Sequence, residues 1–156
     1  METLNIISGT KAEIYNELYK QIKSVIETED DAIANMANVA SMIHETFKFW
    51  WTGFYRVVSE DQLVLGPFQG PLACTRIKKG RGVCGTAWKE NRTLIVPDVE
   101  KFPGHIACSM FSKSEIVVPI HDKLGQVKAV LDIDSQLLDN FDDVDKEWLE
   151  RICKLL

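Results

Sequence analysis

Three acidic side chains stand out in the last third of this chain of 156 residues. Asp132 and Asp134 alternate with apolar residues in segment 127–134, so they share one face of a predicted strand, about 7 Å apart. Glu115 opens the preceding predicted strand, which places it opposite the same end. Converging carboxylates repel one another and raise at least one pKa, so they are candidates for a proton donor or a cation-binding pocket. A solvated sheet edge is the alternative.

The cysteines are the other groups suited to chemistry, namely Cys74, Cys84, Cys108 and Cys153. A buried small hydrophobe is the ordinary role of a lone cysteine. Cys84 lies near the N-terminus of a predicted short helix, whose dipole favours a thiolate, so local reasoning predicts that it is the most reactive thiol. Cys74 shares a predicted strand face with Arg76, and Cys108 lies in a predicted loop.

A metal site is the alternative role for these groups. Zinc would need Cys74, Cys84, Cys108 and His105, but zinc ligands usually include a closely spaced pair and this sequence has no Cys-x-x-Cys. Asp132 and Asp134 are also a weak metal signal, because no further ligand stands beside them at a fixed spacing. We therefore expect no metal.

An aromatic segment, 49–58, offers an apolar surface. Trp51, Gly53 and Tyr55 share one face of this predicted strand. Two large rings separated by a glycine leave a notch with a flat apolar wall, which suits a small apolar or sulfur-containing group. Core packing with Gly53 at a β-bulge is the alternative.

An α+β fold is expected to position these residues. Helical periodicity covers 10–27 and a stretch that starts at Asp30 or Asp31. The remaining predicted elements are strands over 49–58, 62–68, 72–77, 93–96, 115–121 and 126–134, a short helix over 83–89, and a closing helix from about Asp142. This order predicts a central antiparallel sheet of five or six strands with helices mainly on one face.

Length and charge exclude several classes. The length suits a single domain over 1–156. The 18 basic and 23 acidic side chains give a net charge of −5, which argues against a nucleic-acid partner. No apolar stretch approaches the about 20 residues of a membrane span, and the N-terminus lacks the pattern of a signal peptide. We expect a cytoplasmic protein without a membrane partner.

Together these motifs resemble the free methionine-(R)-sulfoxide reductases, which are single GAF domains. The matching segments are Trp51–Tyr55, Pro67–Cys74, Gly80–Ala87, Ser112–Pro119 and Leu131–Ser135. The resemblance is specific, because ordinary GAF sensor domains lack this set of three cysteines and three carboxylates. It implies a GAF-like fold and a thiol-dependent reductase that converts free L-methionine (R)-sulfoxide to L-methionine.

The resemblance implies roles for three cysteines. Cys108 matches the catalytic cysteine, whose thiolate attacks the sulfoxide sulfur and becomes a sulfenic acid. Cys74 matches the resolving cysteine, and thioredoxin reduces the resulting disulfide. Cys84 matches a third cysteine, which is an alternative resolving partner, while Cys153 has no assigned part. We prefer Cys108 over Cys84 as the nucleophile, because a loop cysteine can change its exposure when substrate binds.

The resemblance also implies how the substrate is bound. Glu115 and Asp134 hold and supply the proton that the sulfoxide oxygen needs. Asp132 pairs with the substrate ammonium, and Trp51 and Tyr55 enclose the methyl end. The substrate carboxylate is expected at three backbone N–H groups, those of Ile116, Val117 and Val118.

The partners implied are the free sulfoxide, thioredoxin, and a second copy of the chain in a homodimer. No bound cofactor is expected, since NADPH acts indirectly through thioredoxin reductase. The alternative function is a GAF sensor module that holds a small molecule without converting it. We expect no attached output domain, which weighs against the sensor.

Overall fold

The computed structural model describes residues 3–106 and 110–156. In these ranges, the elements in chain order are α1 Lys11–Ile26, α2 Ala32–Phe47, β1 Trp51–Val57, β2 Gln62–Gln69, β3 Arg76–Lys78, α3 Gly82–Glu90, β4 Leu94–Val96, β5 Ser114–His121, β6 Val127–Ser135 and α4 Asp143–Cys153. A short 3-10 turn over Val99–Lys101 interrupts the loop that was predicted between β4 and β5.

Polar side chains fix where the helices begin. The Thr10 hydroxyl accepts the N–H of Glu13, and the Glu13 carboxylate accepts the N–H of Thr10 in return, which is a capping box before α1. Asp31 caps α2 and Asp142 caps α4, each by accepting two backbone N–H groups. These caps satisfy donors that lack a partner within the helix. None of the described helices combines the length and the apolar character that a membrane crossing requires.

The described strands form one six-stranded antiparallel sheet in the order β3-β2-β1-β6-β5-β4. The predicted sheet is therefore confirmed. One predicted strand is shorter than expected, because β3 begins only at Arg76 and pairs with β2 from there onward. Pro71 has no N–H for a strand ladder, and the chain from Pro71 to Cys74 forms a loop. Cys74 therefore does not share a strand face with Arg76, contrary to the prediction.

The two faces of the sheet are covered differently. On one face, α1, α2 and α4 pack against alternate strand residues such as Phe54, Leu131 and Ile133. On the other face, α3 packs against residues such as Val117 and Val130. Three of the four described helices thus lie on one face, as predicted. The second face, with its single short helix, leaves room for a cavity.

Candidate active site

Strand register brings the three carboxylates together. Glu115 lies directly opposite Asp134 in the β5–β6 ladder, and Asp134 lies opposite Trp51 in the β1–β6 ladder. Asp132 lies opposite Gly53 in β1. Because Leu131 and Ile133 pack in the core under α1, α2 and α4, the acids between them face α3. The predicted convergence of Glu115, Asp132 and Asp134 is confirmed.

The three carboxylates are buried, and few polar groups offset the free-energy cost of removing them from water. Glu115 and Asp132 are each 6% exposed, and Asp134 is partly buried. The Ser112 hydroxyl donates to Asp134. The Oδ1 atom of Asp132 is buried and has no hydrogen-bond partner among the described residues. No lysine or arginine in the described ranges forms an ion pair with any of the three acids.

Burial raises the pKa of every acid in this group, and the charge of Asp132 raises the pKa of Glu115 and Asp134 further. Burial is the main cause of the raised pKa of Glu115, and the charges of Asp132 and Asp134 raise it further. Burial raises the pKa of Asp132 to about 6. Burial and the charge of Asp132 raise the pKa of Asp134. The three acids therefore hold protons in a pH range where isolated carboxyl groups have lost them.

Cys84 belongs to this acidic environment. It is the third residue of α3, is 3% exposed, and its Sγ lies 4.0 Å from Oε1 of Glu115. Burial raises the pKa of the Cys84 thiol well above its usual range, and the charges of Asp132 and Glu115 raise it further. A helix dipole contributes only about 0.3–1 kcal/mol in the opposite direction. These surroundings therefore oppose the thiolate on which the prediction of a reactive Cys84 rested.

Two aromatic side chains form one wall of the cavity. The rings of Trp51 and Tyr55 are stacked with their centroids 6.0 Å apart. The Trp51 indole N–H donates to the carbonyl of Pro71 over 3.1 Å, and the Tyr55 hydroxyl donates to the carbonyl of Cys74 over 2.9 Å. Burial and the nearby acids raise the pKa of Tyr55, so its hydroxyl stays a donor. The aromatic wall is thereby tied to the loop that carries Cys74.

The notch predicted at Gly53 is not open space. A Cβ atom at this position would meet the side chain of Phe68 and the ring of Trp51. The register between β1 and β2 also shifts between Gly53 and Tyr55. Gly53 therefore lies at a β-bulge inside packed aromatic rings, which was the alternative to the notch.

One cavity among the described residues collects these groups. Its lining comprises Trp50, Trp51, Tyr55, Pro71, Leu72, Ala73, Ile77, Arg81, Gly82, Val83, Cys84, His105, Ile106, Ser112, Glu115, Asp132 and Asp134. Ile116, Val117 and Val118 do not line it. Ile116 and Val117 lie in β5 between β4 and β6, where strand pairing occupies the backbone, and Val118 packs in the core on the opposite face. The structure does not support the prediction that these three residues bind a substrate carboxylate.

The N-terminal end of α3 was missed as part of the site. Arg81, Gly82 and Val83 line the cavity, and no side chain caps the helix at Arg81. Gly85 allows α3 to pack in this place, because a side chain at residue 85 would put a Cβ atom against the carbonyl oxygen of Lys78. The Gly-Arg-Gly segment just before the helix was the available signal, since an uncapped helix start attracts anions.

The cysteines differ in state and position. Cys74 lies in the loop before β3 and is disulfide-bonded, whereas Cys84 and Cys153 are free thiols. Cys153 packs in the core under α1, α2 and α4, and burial raises its pKa. Cys108, the predicted nucleophile, lies outside the described residues.

Comparisons with known proteins agree with this geometry. Residues 31–156 match the GAF domain family. A GAF domain-containing protein A of Dictyostelium discoideum is 57% identical over 155 residues, which are 99% of this chain and 98% of that protein. The free methionine-R-sulfoxide reductase of Saccharomyces cerevisiae is 44% identical over 94% of this chain and 85% of its own.

A solved structure extends the likeness to the backbone. The X-ray structure of free methionine-R-sulfoxide reductase from Neisseria meningitidis, in complex with its substrate, superposes with a TM-score of 0.96 at 49% sequence identity. The match covers 99% of this chain and 93% of that chain. The chain therefore belongs to the GAF domain family and, within it, to the free methionine-(R)-sulfoxide reductases.

Proposed function

We propose that this protein is an oxidoreductase that reduces free L-methionine (R)-sulfoxide to L-methionine. The observation that carries this proposal is that a group of buried carboxylates and an aromatic wall line the same cavity. A sulfoxide needs a proton on its oxygen before a thiolate can displace that oxygen, and its methyl group needs an apolar surface. The cavity offers both within a single small volume.

Glu115 and Asp134 supply the proton. They lie opposite each other in the β5–β6 ladder, and both have a raised pKa caused first by burial. A carboxyl group that stays protonated near neutral pH is a good donor to the sulfoxide oxygen. Trp51 and Tyr55 hold the methyl group against their rings.

The two ends of a free amino acid have separate partners in the cavity. Asp132 pairs with the substrate ammonium, because its buried Oδ1 has no hydrogen-bond partner among the described residues. Arg81 and the uncapped start of α3 attract the substrate carboxylate, in place of the backbone groups at 116–118. A cavity that binds both ends of an amino acid excludes a residue within a polypeptide.

Cys108 is the nucleophile in this mechanism. Its thiolate attacks the sulfoxide sulfur, the oxygen passes to Cys108 with a proton from the carboxyl groups, and methionine leaves beside a sulfenic acid. Cys84 is unsuited to this role, since its environment opposes the thiolate. Cys153 is also unsuited, because it packs in the core on the opposite face of the sheet, under α1, α2 and α4.

Recycling requires a second thiol and an external reductant. The Cys74 thiol attacks the Cys108 sulfenic acid, water leaves, and a disulfide forms. The disulfide-bonded state of Cys74 in the structure is consistent with this role. A thioredoxin dithiol then restores both thiols and is itself oxidised, and NADPH regenerates it through thioredoxin reductase.

Single-turnover assays of Cys→Ser variants test the thiol assignments. Cys108→Ser is expected to form no methionine. Cys74→Ser is expected to form about one methionine per protein and then to stop with thioredoxin, because the proposal assigns resolution of the sulfenic acid to Cys74; continued turnover would assign it to Cys84 instead. Cys153→Ser is the matched control and keeps wild-type turnover. Methionine formation by Cys108→Ser would remove that residue from the nucleophilic role.

Incubation with racemic free methionine sulfoxide and dithiothreitol separates an enzyme from a sensor. A reductase specific for the (R) form stops at half-conversion, whereas a binding module forms no methionine. Glu115→Gln is then expected to lower turnover far more than it weakens substrate binding. An unchanged rate would exclude Glu115 as the proton donor.

The family resemblance is also the basis for proposing a single GAF domain that works as a cytoplasmic homodimer. Light scattering after gel filtration measures the mass in solution. A monomer at working concentration would contradict the dimer and leave the reductase proposal untouched.

A further inference from the structure

Three metal-binding side chains meet in the floor of the cavity. Cys84 comes from α3, Glu115 from β5 and Asp132 from β6. One ligand atom from each lies within 4.8 Å of the other two, and all three residues are buried. We call this set the acid–thiol cluster. Its members are far apart in the sequence, so no spacing rule could have revealed it.

A second observation indicates that the cluster can accept a positively charged partner. Asp132 is only 6% exposed, and its Oδ1 has no partner among the described residues. A buried carboxylate oxygen without a donor is costly unless a positive charge reaches it. No described lysine or arginine does so.

We propose that the acid–thiol cluster binds a thiophilic divalent cation such as Zn²⁺ and that this cation excludes the substrate. One thiolate and two carboxylate oxygens form a ligand set that suits Zn²⁺ better than Ca²⁺ or Mg²⁺. Zinc lies about 2.0–2.3 Å from such atoms, so its ligands stand within about 4 Å of one another. The observed separations therefore need only small side-chain adjustments, and a fourth position stays open to water.

Binding of the cation involves no change in oxidation state. Cys84 coordinates as the thiolate and Glu115 as the carboxylate, and both release their protons to solvent. The site does not use Cys74, which is disulfide-bonded while Cys84 is free. The cluster should therefore bind the cation even when the redox disulfide is formed. A zinc site built from Cys74, Cys84, Cys108 and His105 would be lost in that state.

Exclusion of the substrate rests on the proposed function. There Asp132 receives the substrate ammonium, and Asp132 cannot hold an ammonium and a dication at the same atom. Zn²⁺ should therefore act as a competitive inhibitor of sulfoxide reduction. The metal site itself does not depend on turnover.

Cobalt substitution tests the site directly. Metal-free protein with its disulfide formed is titrated with Co²⁺, and the absorbance of a thiolate-to-cobalt charge-transfer band is recorded. We expect one equivalent to bind and Zn²⁺ to displace it. Cys84→Ser should lose the band, and Asp132→Asn should weaken binding at least tenfold. Cys153→Ser removes the other free thiol found in ranges 3–106 and 110–156 and should keep wild-type binding.

The outcomes separate the two proposals. No band in the wild type, or a band that survives in folded Cys84→Ser, would overturn the metal site. If Cys84→Ser fails to fold, unchanged affinity in Asp132→Asn would do the same. L-methionine (R)-sulfoxide should displace bound Co²⁺, and failure to do so would overturn the exclusion. The methionine assay, run with a chelator, decides the reductase proposal independently.

Discussion

Buried carboxylates lie on both faces of the sheet, and the two faces differ in how many hydrogen-bond donors surround them. Asp145, on the face with three helices, is almost fully buried at 1% exposure. Its oxygens accept hydrogen bonds from the Tyr15 hydroxyl over 2.8 Å, from Lys11 Nζ over 2.6 Å and from the backbone N–H of Asp142 over 2.8 Å. Asp132, on the face with α3, has one buried oxygen without a partner in the part of the chain that the structure describes.

This difference distinguishes a structural carboxylate from a functional one. A buried charge with a full set of donors fixes the packing of the elements that supply them, here α1 against α4. A buried charge that keeps one oxygen without a donor costs stability and persists where a ligand supplies the missing partner. Burial alone does not tell the two apart, since both residues are nearly inaccessible. The hydrogen-bond partners do.

The largest effect is expected when the partnered site is broken. Asp145→Ala should lower the free energy of unfolding by about 3–5 kcal/mol, because the buried Tyr15 hydroxyl loses its acceptor and Lys11 loses the buried one of its two carboxylate partners. Urea denaturation measures the change. Glu147→Ala is the matched control on the same helix, where an exposed pair with Arg151 contributes about 0.5 kcal/mol. A loss at Asp145 no larger than that of the control would contradict the structural role.

A smaller effect of the opposite sign is expected at the unpartnered site. Asp132→Asn removes a charge that burial disfavours and that repels Glu115, so we expect a gain of about 1 kcal/mol in the free energy of unfolding. The same variant should raise the KM for the sulfoxide at least tenfold. Denaturation and kinetics are measured with a chelator present. A less stable variant would show that Asp132 is a structural residue after all.

The smallest effect on stability is expected at Asp142, which shares the Lys11 ammonium with Asp145. Asp142→Asn keeps a good helix cap but loses the charge that faces Lys11, so we expect a loss below about 1 kcal/mol at pH 7. The Lys11 hydrogen bond lowers the pKa of Asp142, so this contribution exists above the ordinary aspartate pKa and vanishes as pH falls through the lowered value. Wild type and variant should therefore converge in stability once the pH falls below the lowered pKa of Asp142. A difference that persists there would indicate a lost cap instead.

Much of the fold could be predicted because its signals are local. Alternation placed Leu131 and Ile133 on one face and Asp132 and Asp134 on the other, and a short turn placed Glu115 beside them. The capping residues marked the helix starts within about one residue. The convergence of the three acids followed from this periodicity alone.

The remainder of the site depends on tertiary packing that no local pattern encodes. Whether Cys84 is reactive depends on which face α3 covers, and α3 covers the acidic one. The backbone N–H groups of Ile116 and Val117 are not available to a substrate, because β4 pairs with the side of β5 that faces away from β6. Gly53 marked a bulge, but the sequence could not show that Phe68 would fill the space beside it.

Because of the strand order, a ligand in the acidic cavity should affect strands that it does not contact. Its acids lie on β5 and β6 in the interior of the sheet, while the edges are the three-residue strands β3 and β4. Short edges open by local fraying, whereas interior strands exchange their amide protons only when most of the sheet opens. Fraying therefore cannot relieve the repulsion between the acids. Any ligand that neutralises them should slow amide exchange across the whole sheet, including strands that it never touches.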